Sequence, residues 1–279
     1  MTRPPACAGS FYDASAHELR HHVQSLLHAE VTAGPAIAAV APHAGLMYSG
    51  MVAGTVYGRV TMPRTVVLIG PNHTGAGPPI SVWARGQWAI PGAVLPVAED
   101  LADVFLSLCV EARADELAHQ YEHSLEVQLP FLVARRPDIT ILPIVVGVRN
   151  LSSCLSLGLA LASMTTSALE PPLLIASSDM THCGPGFGQF PPAGLTADVF
   201  ARKQDGIALK ALQTLDEAEF HRTVEAHDIS MCGYAPTTAV LYAARILGAQ
   251  HAAVTQYATS AEVAGDVDRV VGYAGVIIN

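Results

Sequence analysis

The 279-residue sequence predicts an α/β fold: one domain over residues 1–279, with a central, mostly parallel or mixed sheet flanked by helices. Three observations carry this. Short β-branched runs recur, each closed by Gly, Pro or a polar turn, as buried strands are. Stretches with helical spacing lie between them, the alternation that builds a layered sheet-and-helix domain. The chain is 51% hydrophobic and only 14% charged, which excludes disorder, and no repeat or linker divides it.

Taken in order, residues 16–29 (AHELRHHVQSLLHA) place Leu19, Val23, Leu26 and Leu27 on one helical face. Their histidines, His17, His21, His22 and His28, read as surface or interface residues. Strands are expected at 36–41 (AIAAVA), 65–69 (TVVLI), 139–146 (ITILPIVV), 173–176 (LLIA) and 270–278 (VVGYAGVII). Helices are expected near 49–60, 98–113, 123–135, 152–168, 205–213, 216–226 and 236–248. Pro236 suits the first turn of the last of these. The Pro/Gly-rich stretches 70–80 and 184–194 read as loops over one face.

Charge and cysteine usage narrow the function classes. The balance is 15 basic against 24 acidic residues, with no basic run, so the footprint of a nucleic-acid binder is missing. The longest apolar runs reach about five to ten residues, short of the roughly 20 that a membrane span needs. Residues 1–30 lack the apolar core of a signal peptide, so the chain reads as cytoplasmic. Five cysteines (Cys7, Cys109, Cys154, Cys183, Cys232) without a CxxC pair read as free thiols or metal ligands.

In open α/β sheets, ligands bind outside the carboxyl ends of the strands. Three of the expected strands deliver a histidine there: Pro42-His43 after AIAAVA, Asn72-His73 after TVVLIG, and Ser177 to His182 after LLIA. Any one alone is an ordinary loop residue; three at separate strand ends point to a shared site. Cys232 stands just before the helix near Pro236 and reads either as buried apolar filler or as part of that site. In 119–132 (HQYEHSLEVQLPFL), Glu122 and Glu126 flank His123, either as acidic residues in a helix's first turn or as carboxylates that orient metal-binding imidazoles. Imidazole and thiolate together suit Fe, Cu or Zn, not Mg or Ca. No GxSxG, P-loop, GxGxxG or HExxH motif competes.

Further segments stand in a fixed order: Ala8-Gly9-Ser10-Phe11-Tyr12, APHAG at 41–45, Gly70-Pro71-Asn72-His73, EHSLEVQLPF at 122–131, SSDMTH at 177–182, Cys232-Gly233 with Pro236, and Gly272-Tyr273-Ala274-Gly275. The set spans nearly the whole chain and resembles the Memo family (mediator of cell motility), also called AmmeMemoRadiSam system protein B. The resemblance implies a fold similar to class III extradiol dioxygenases, in which two His and one Glu hold Fe(II) and a further His acts as acid/base. In the Memo pattern a Cys stands where that Glu would be. Carried over by position, His43, His73 and Cys232 match the metal ligands, His182 the acid/base, and Asp179 and His123 polar neighbours. Asp179 lies three residues before His182, near enough to hydrogen-bond its imidazole. Two departures stand out: Cys183 follows His182 where the family often has an aromatic residue, and 86–97 (GQWAIPGAVLPV) matches its counterpart poorly.

These observations lead to an expected non-haem iron dioxygenase-like enzyme using Fe(II), with Cu or Zn as alternatives, O2, and a small, catechol-like substrate. The rival expectations are a non-catalytic metal- or peptide-binding protein and a zinc hydrolase. The family's alternative name also implies a pathway association with a radical-SAM protein and an AMMECR1-like protein.

Overall fold

The computed structural model describes residues 1–27 and 32–279; His28, read above as a surface residue, lies outside the described residues. In chain order the strands are β1 (Thr2–Arg3), β2 (Ala38–Ala41), β3 (Thr65–Pro71), β4 (Ile80–Val82), β5 (Gln87–Ile90), β6 (Ala93–Pro96), β7 (Ala112–Ala114), β8 (Thr140–Val146), β9 (Leu173–Ser177), β10 (His182–Cys183), β11 (Ala252–Thr259) and β12 (Val270–Ile278). The main helices are α1 (Ala16–Leu26), α2 (Leu46–Arg59), α3 (Glu99–Leu108), α4 (Leu129–Arg135), α5 (Leu151–Ser167), α6 (Ala197–Gln213), α7 (Glu217–Ala226) and α8 (Tyr234–Ile246).

The large sheet is mixed. Its centre is four parallel strands in the order β2-β9-β3-β8, so all four carboxyl ends open on the same edge. β4 runs antiparallel to β8 and carries β7; β12 runs antiparallel to β2 and carries β11 on its other side. Both faces are covered. On β3, Val67 and Ile69 pack in the core under α3, α5, α6, α7 and α8, while Val66 and Leu68 pack in the opposite core under α1, α2 and α4. This two-sided burial explains why the central strands read as continuous apolar runs.

The central strands and most helices fall where the sequence places them. The differences have local causes. The helix expected over 98–113 stops at Leu108, and Ala112–Ala114 instead pairs β4 as an edge strand. The stretch 123–135 is helical only from Leu129, after a 3₁₀ turn at Glu126–Gln128; Pro130 lies in the first turn, where its missing N–H costs nothing. The poorly matching stretch 86–97 folds as the β5–β6 hairpin, turned by Pro91-Gly92 with Gly92 at φ 81°, and joined by β1 into a separate three-stranded sheet. β11 was missed because only part of its length is buried, so its sequence carries no apolar run.

β10 has a particular place. It pairs with the start of β12, on the edge where β2 pairs with its end. Since β2 and β12 are antiparallel, β10 occupies the ladder position just beyond the exit of β2. The chain thereby brings His182 back alongside the loop that carries His43.

Candidate metal centre

Each of the three site histidines is delivered by a different loop. His43 follows β2, His73 follows β3, and His123 lies on the segment between β7 and α4. One nitrogen of each comes within 4.8 Å of the others. The ring centroids are 5.3 Å apart for His43 and His73, 5.4 Å for His43 and His123, and 4.7 Å for His73 and His123. Cys232 completes the corner, its Sγ 3.2 Å from His43 Nε2. It is set there by close packing: Gly233 N–H donates to Ser178 Oγ at 2.9 Å, and a Cβ at Gly233 would meet the Ser177 carbonyl oxygen at 2.4 Å.

The hydrogen-bond network fixes which nitrogen of His43 is free. Gln128 must point its NH2 at the Pro42 carbonyl, a pure acceptor, at 2.9 Å; its Oε1 accepts from the Tyr57 hydroxyl at 2.7 Å. The same NH2 donates to Ser177 Oγ at 2.9 Å, and Ser177 donates its own hydrogen to the Ser124 carbonyl at 2.7 Å. With its hydrogen committed, Ser177 Oγ can only accept from His43 Nδ1, 2.9 Å away. His43 is therefore the Nδ1–H tautomer, and its Nε2 lone pair faces Cys232.

Glu122 does the same for His73. Its fully buried carboxylate accepts from His73 Nδ1 at 2.9 Å, His73 N at 2.6 Å and Ser124 N at 2.9 Å. Burial alone would raise this carboxyl, but the bonds and charge from His73 and the Ser124 N–H bring it down to about 2. As an ionised acceptor it leaves His73 Nε2 as the free lone pair. His123 Nδ1 lies 3.6 Å from the same carboxylate, and Phe11 packs on its ring at a centroid distance of 4.5 Å. Burial, helped by the neighbouring His123 and His73, holds His43 well below 6.5. Burial also lowers His123. Burial and then the Asp179 charge push the Cys232 thiol up. The site thus gathers three imidazoles, two of which burial keeps from protonating, and a thiol, with carboxylates behind them. That donor set fits Fe, Cu or Zn.

Three expectations are refined. Glu122 orients an imidazole, but Glu126 does not. It turns away to bind Arg3 Nη1 at 2.5 Å, the Tyr12 hydroxyl at 2.5 Å and Cys7 N at 3.0 Å, pinning the amino-terminal segment in place. Asp179 is not bonded to the His182 ring. Its Oδ1 accepts from His43 N at 2.7 Å and Ala44 N at 3.2 Å, because the β9 exit turns its side chain toward the β2 exit. His182 Nδ1 instead donates to the carbonyls of Met180 at 2.9 Å and Ser230 at 3.1 Å, leaving Nε2 as the free nitrogen. Cys183 points the other way from His182 into a small apolar cluster with Ala197, Ala201 and Val270. Strand alternation at β10 separates the two.

His73, His182 and Cys232 open together onto a cleft of about 670 Å³, which Arg149, Phe187 and Tyr234 also line. The sequence reading did not single out Ser177's bond to His43, Gln128 or Arg149. A Gln inside an apolar stretch was the one available signal for Gln128; Arg149 carried none.

Comparison with known proteins matches residues 3–277 to a family model described as "Memo-like protein". A MEMO1 family protein of Methanosarcina mazei is 39% identical over 278 residues, covering 99% of this chain and 98% of the relative. One of Aquifex aeolicus is 38% identical over 278 residues, with coverage of 99% and 98%. Among solved structures, the uncharacterized protein JW3007 of Escherichia coli K12 shares the fold, with a TM-score of 0.55 and 16% identity over 78% of this chain and 87% of that one. No helix among the described residues is long and apolar enough to cross a membrane.

Proposed function

The chain belongs to the Memo family, and from that premise we propose that it is a non-haem iron dioxygenase-like enzyme acting on a small, catechol-like substrate. The observation that supports this best is the convergence of His43, His73 and His123 with Cys232 beside an open cleft, with the far nitrogens of His43 and His73 already tied to Ser177 and Glu122. In the proposed site His43, His73 and Cys232 hold Fe(II), with Cu or Zn as alternatives. His123 is the competing third ligand, since its nitrogen lies within reach of both other imidazoles.

When bound, iron would supply open coordination positions for O2 and a chelating substrate, and a path for electrons between them. The protein's own residues do the rest. Ser177 and Glu122 keep the imidazoles turned toward the cleft. His182, with Nδ1–H anchored on two carbonyls, takes a hydroxyl proton from the substrate at Nε2 and returns it later. Asp179 fixes the backbone of His43 and Ala44.

The test is metal analysis of protein purified without oxygen, followed by oxygen uptake with a panel of catechols. Iron near one per chain with catechol-dependent uptake supports the reading. A second reading is a non-catalytic metal-binding protein or a zinc enzyme. It is favoured by the thiol of Cys232, which suits Zn and Cu as well as Fe. Zinc or copper without uptake would replace the first reading by the second.

A further inference from the structure

The four parallel strands all end on one edge, and three of those ends are used: β2 for His43, β3 for His73, β9 for the turn to Asp179 and His182. The fourth, β8, leads through Gly147-Val148 to Arg149, which lines the same cleft as His73, His182 and Cys232. The placement is built rather than incidental. Buried His221 holds the Arg149 carbonyl with Nε2 at 2.7 Å. Asn150 caps α5, accepting from Ser153 N at 2.9 Å, so the residue on either side of the peptide is fixed.

The Arg149 side chain itself is exposed, and among the described residues no carboxylate pairs with it and no hydrogen bond occupies its guanidinium. Tyr234 lines the cleft with Phe187; burial and then Glu225 push its hydroxyl up, and the Arg149 charge acts against them. A guanidinium with five donors and no partner, at the mouth of an aromatic-walled cleft, is matched by a planar oxyanion. Glu225 and Asp228 line the same cleft. Their charge weighs about twice as heavily against a dianion such as phosphate as against a monoanion at the same distance.

We propose that Arg149 is the anion-recognition residue of this cleft and that the substrate carries a carboxylate on the far side from its metal-chelating oxygens. This deepens the catechol-like reading and rests on it for the chelating half; the carboxylate half can be tested separately.

The experiment is calorimetric titration of iron-loaded, oxygen-free protein, wild type and Arg149→Gln, with catechol, 3,4-dihydroxybenzoate, benzoate and phenyl phosphate. Expected results are a preference for 3,4-dihydroxybenzoate over catechol of about tenfold or more, lost in Arg149→Gln, with catechol affinity unchanged. Benzoate, which cannot chelate, should also bind wild type at least about tenfold more tightly than the variant. Equal benzoate affinity in both proteins, or no benzoate binding to either, overturns the role of Arg149 whatever catechol does. Phenyl phosphate binding more tightly than benzoate, through Arg149, overturns the choice of carboxylate. Absence of catechol binding with an Arg149-dependent benzoate signal removes the catechol reading and leaves Arg149 as the anion site.

Discussion

Glu122→Gln exchanges one oxygen for nitrogen inside a buried carboxylate, and its consequences follow from the three N–H groups that surround it. Oε1 accepts from His73 Nδ1 and Ser124 N, both at 2.9 Å, while Oε2 accepts from His73 N at 2.6 Å. Glutamine has one oxygen. Turned toward the first two donors, it sets its NH2 against the His73 backbone N–H; turned the other way, it faces two. The first arrangement keeps the bond to the His73 ring but loses the one to its backbone, and the second frees the ring to rotate; in both, the loss of the carboxylate charge weakens the basicity of His73 at Nε2. Carboxylates that orient ligating histidines are worth about 10–100-fold in metal affinity, and competition with a coloured chelator reads that loss directly. Folding carries a second signature. The carboxyl is lowered from 4.5 to about 2, which at about 1.4 kcal/mol for each tenfold change in proton affinity is about 3 kcal/mol of stability. Because the folded state binds the proton more weakly, this contribution is complete above pH 4.5 and disappears as pH falls toward 2. By pH 3 about 2 kcal/mol of it should be gone. Urea unfolding at pH 7 and pH 3 should therefore show wild type and Glu122→Gln far apart at the first pH and nearer at the second. Unchanged metal affinity together with a parallel pH dependence in the two proteins would refute the role given to Glu122.

The third ligand is decided by metal content in Cys232→Ser and His123→Ala beside His43→Ala and His73→Ala. Cys232→Ser should lose metal as sharply as the two histidine variants, with an unchanged circular dichroism spectrum; if His123→Ala does so while Cys232→Ser keeps its metal, the assignment passes to His123. His182→Ala should retain near wild-type metal while turnover on a substrate falls about 10²–10⁴-fold, and loss of metal would make His182 a ligand. Asp179→Asn should act on metal binding through the His43 loop, to which its carboxylate is bonded; an effect on turnover alone, with metal binding intact, would count against that. Cys183→Ala should preserve metal stoichiometry, since its side chain packs with Ala197, Ala201 and Val270; a lost metal in that variant would show that the thiol reaches the centre.

What the sequence disclosed of this site was what strand geometry alone controls. Runs such as TVVLIG end where the parallel sheet ends, so a residue just beyond a run must lie on the sheet's carboxyl edge, and His43 and His73 followed from that. What stayed hidden depends on contacts between distant segments. Asp179 and His182 are neighbours in the chain, and proximity suggested a bond between them. In the fold, the turn after β9 sends the carboxylate to the backbone of His43 and Ala44, while β10 hands His182 to carbonyls at Met180 and Ser230. Glu122 and Glu126 look alike by spacing, yet Glu122 lies before the 3₁₀ turn and bonds His73, while Glu126 opens that turn and bonds Arg3, Tyr12 and Cys7. The chain from Pro42 through Gln128 and Ser177 to His43 was equally invisible, because each link pairs residues at least 49 apart. A uniform rule connects these cases. Backbone pairing chooses which loops meet, and that can be read from periodicity. The orientation of each loop's imidazole or carboxylate is chosen by whichever unsatisfied donor or acceptor the facing loop presents, and that exists only once the loops have met.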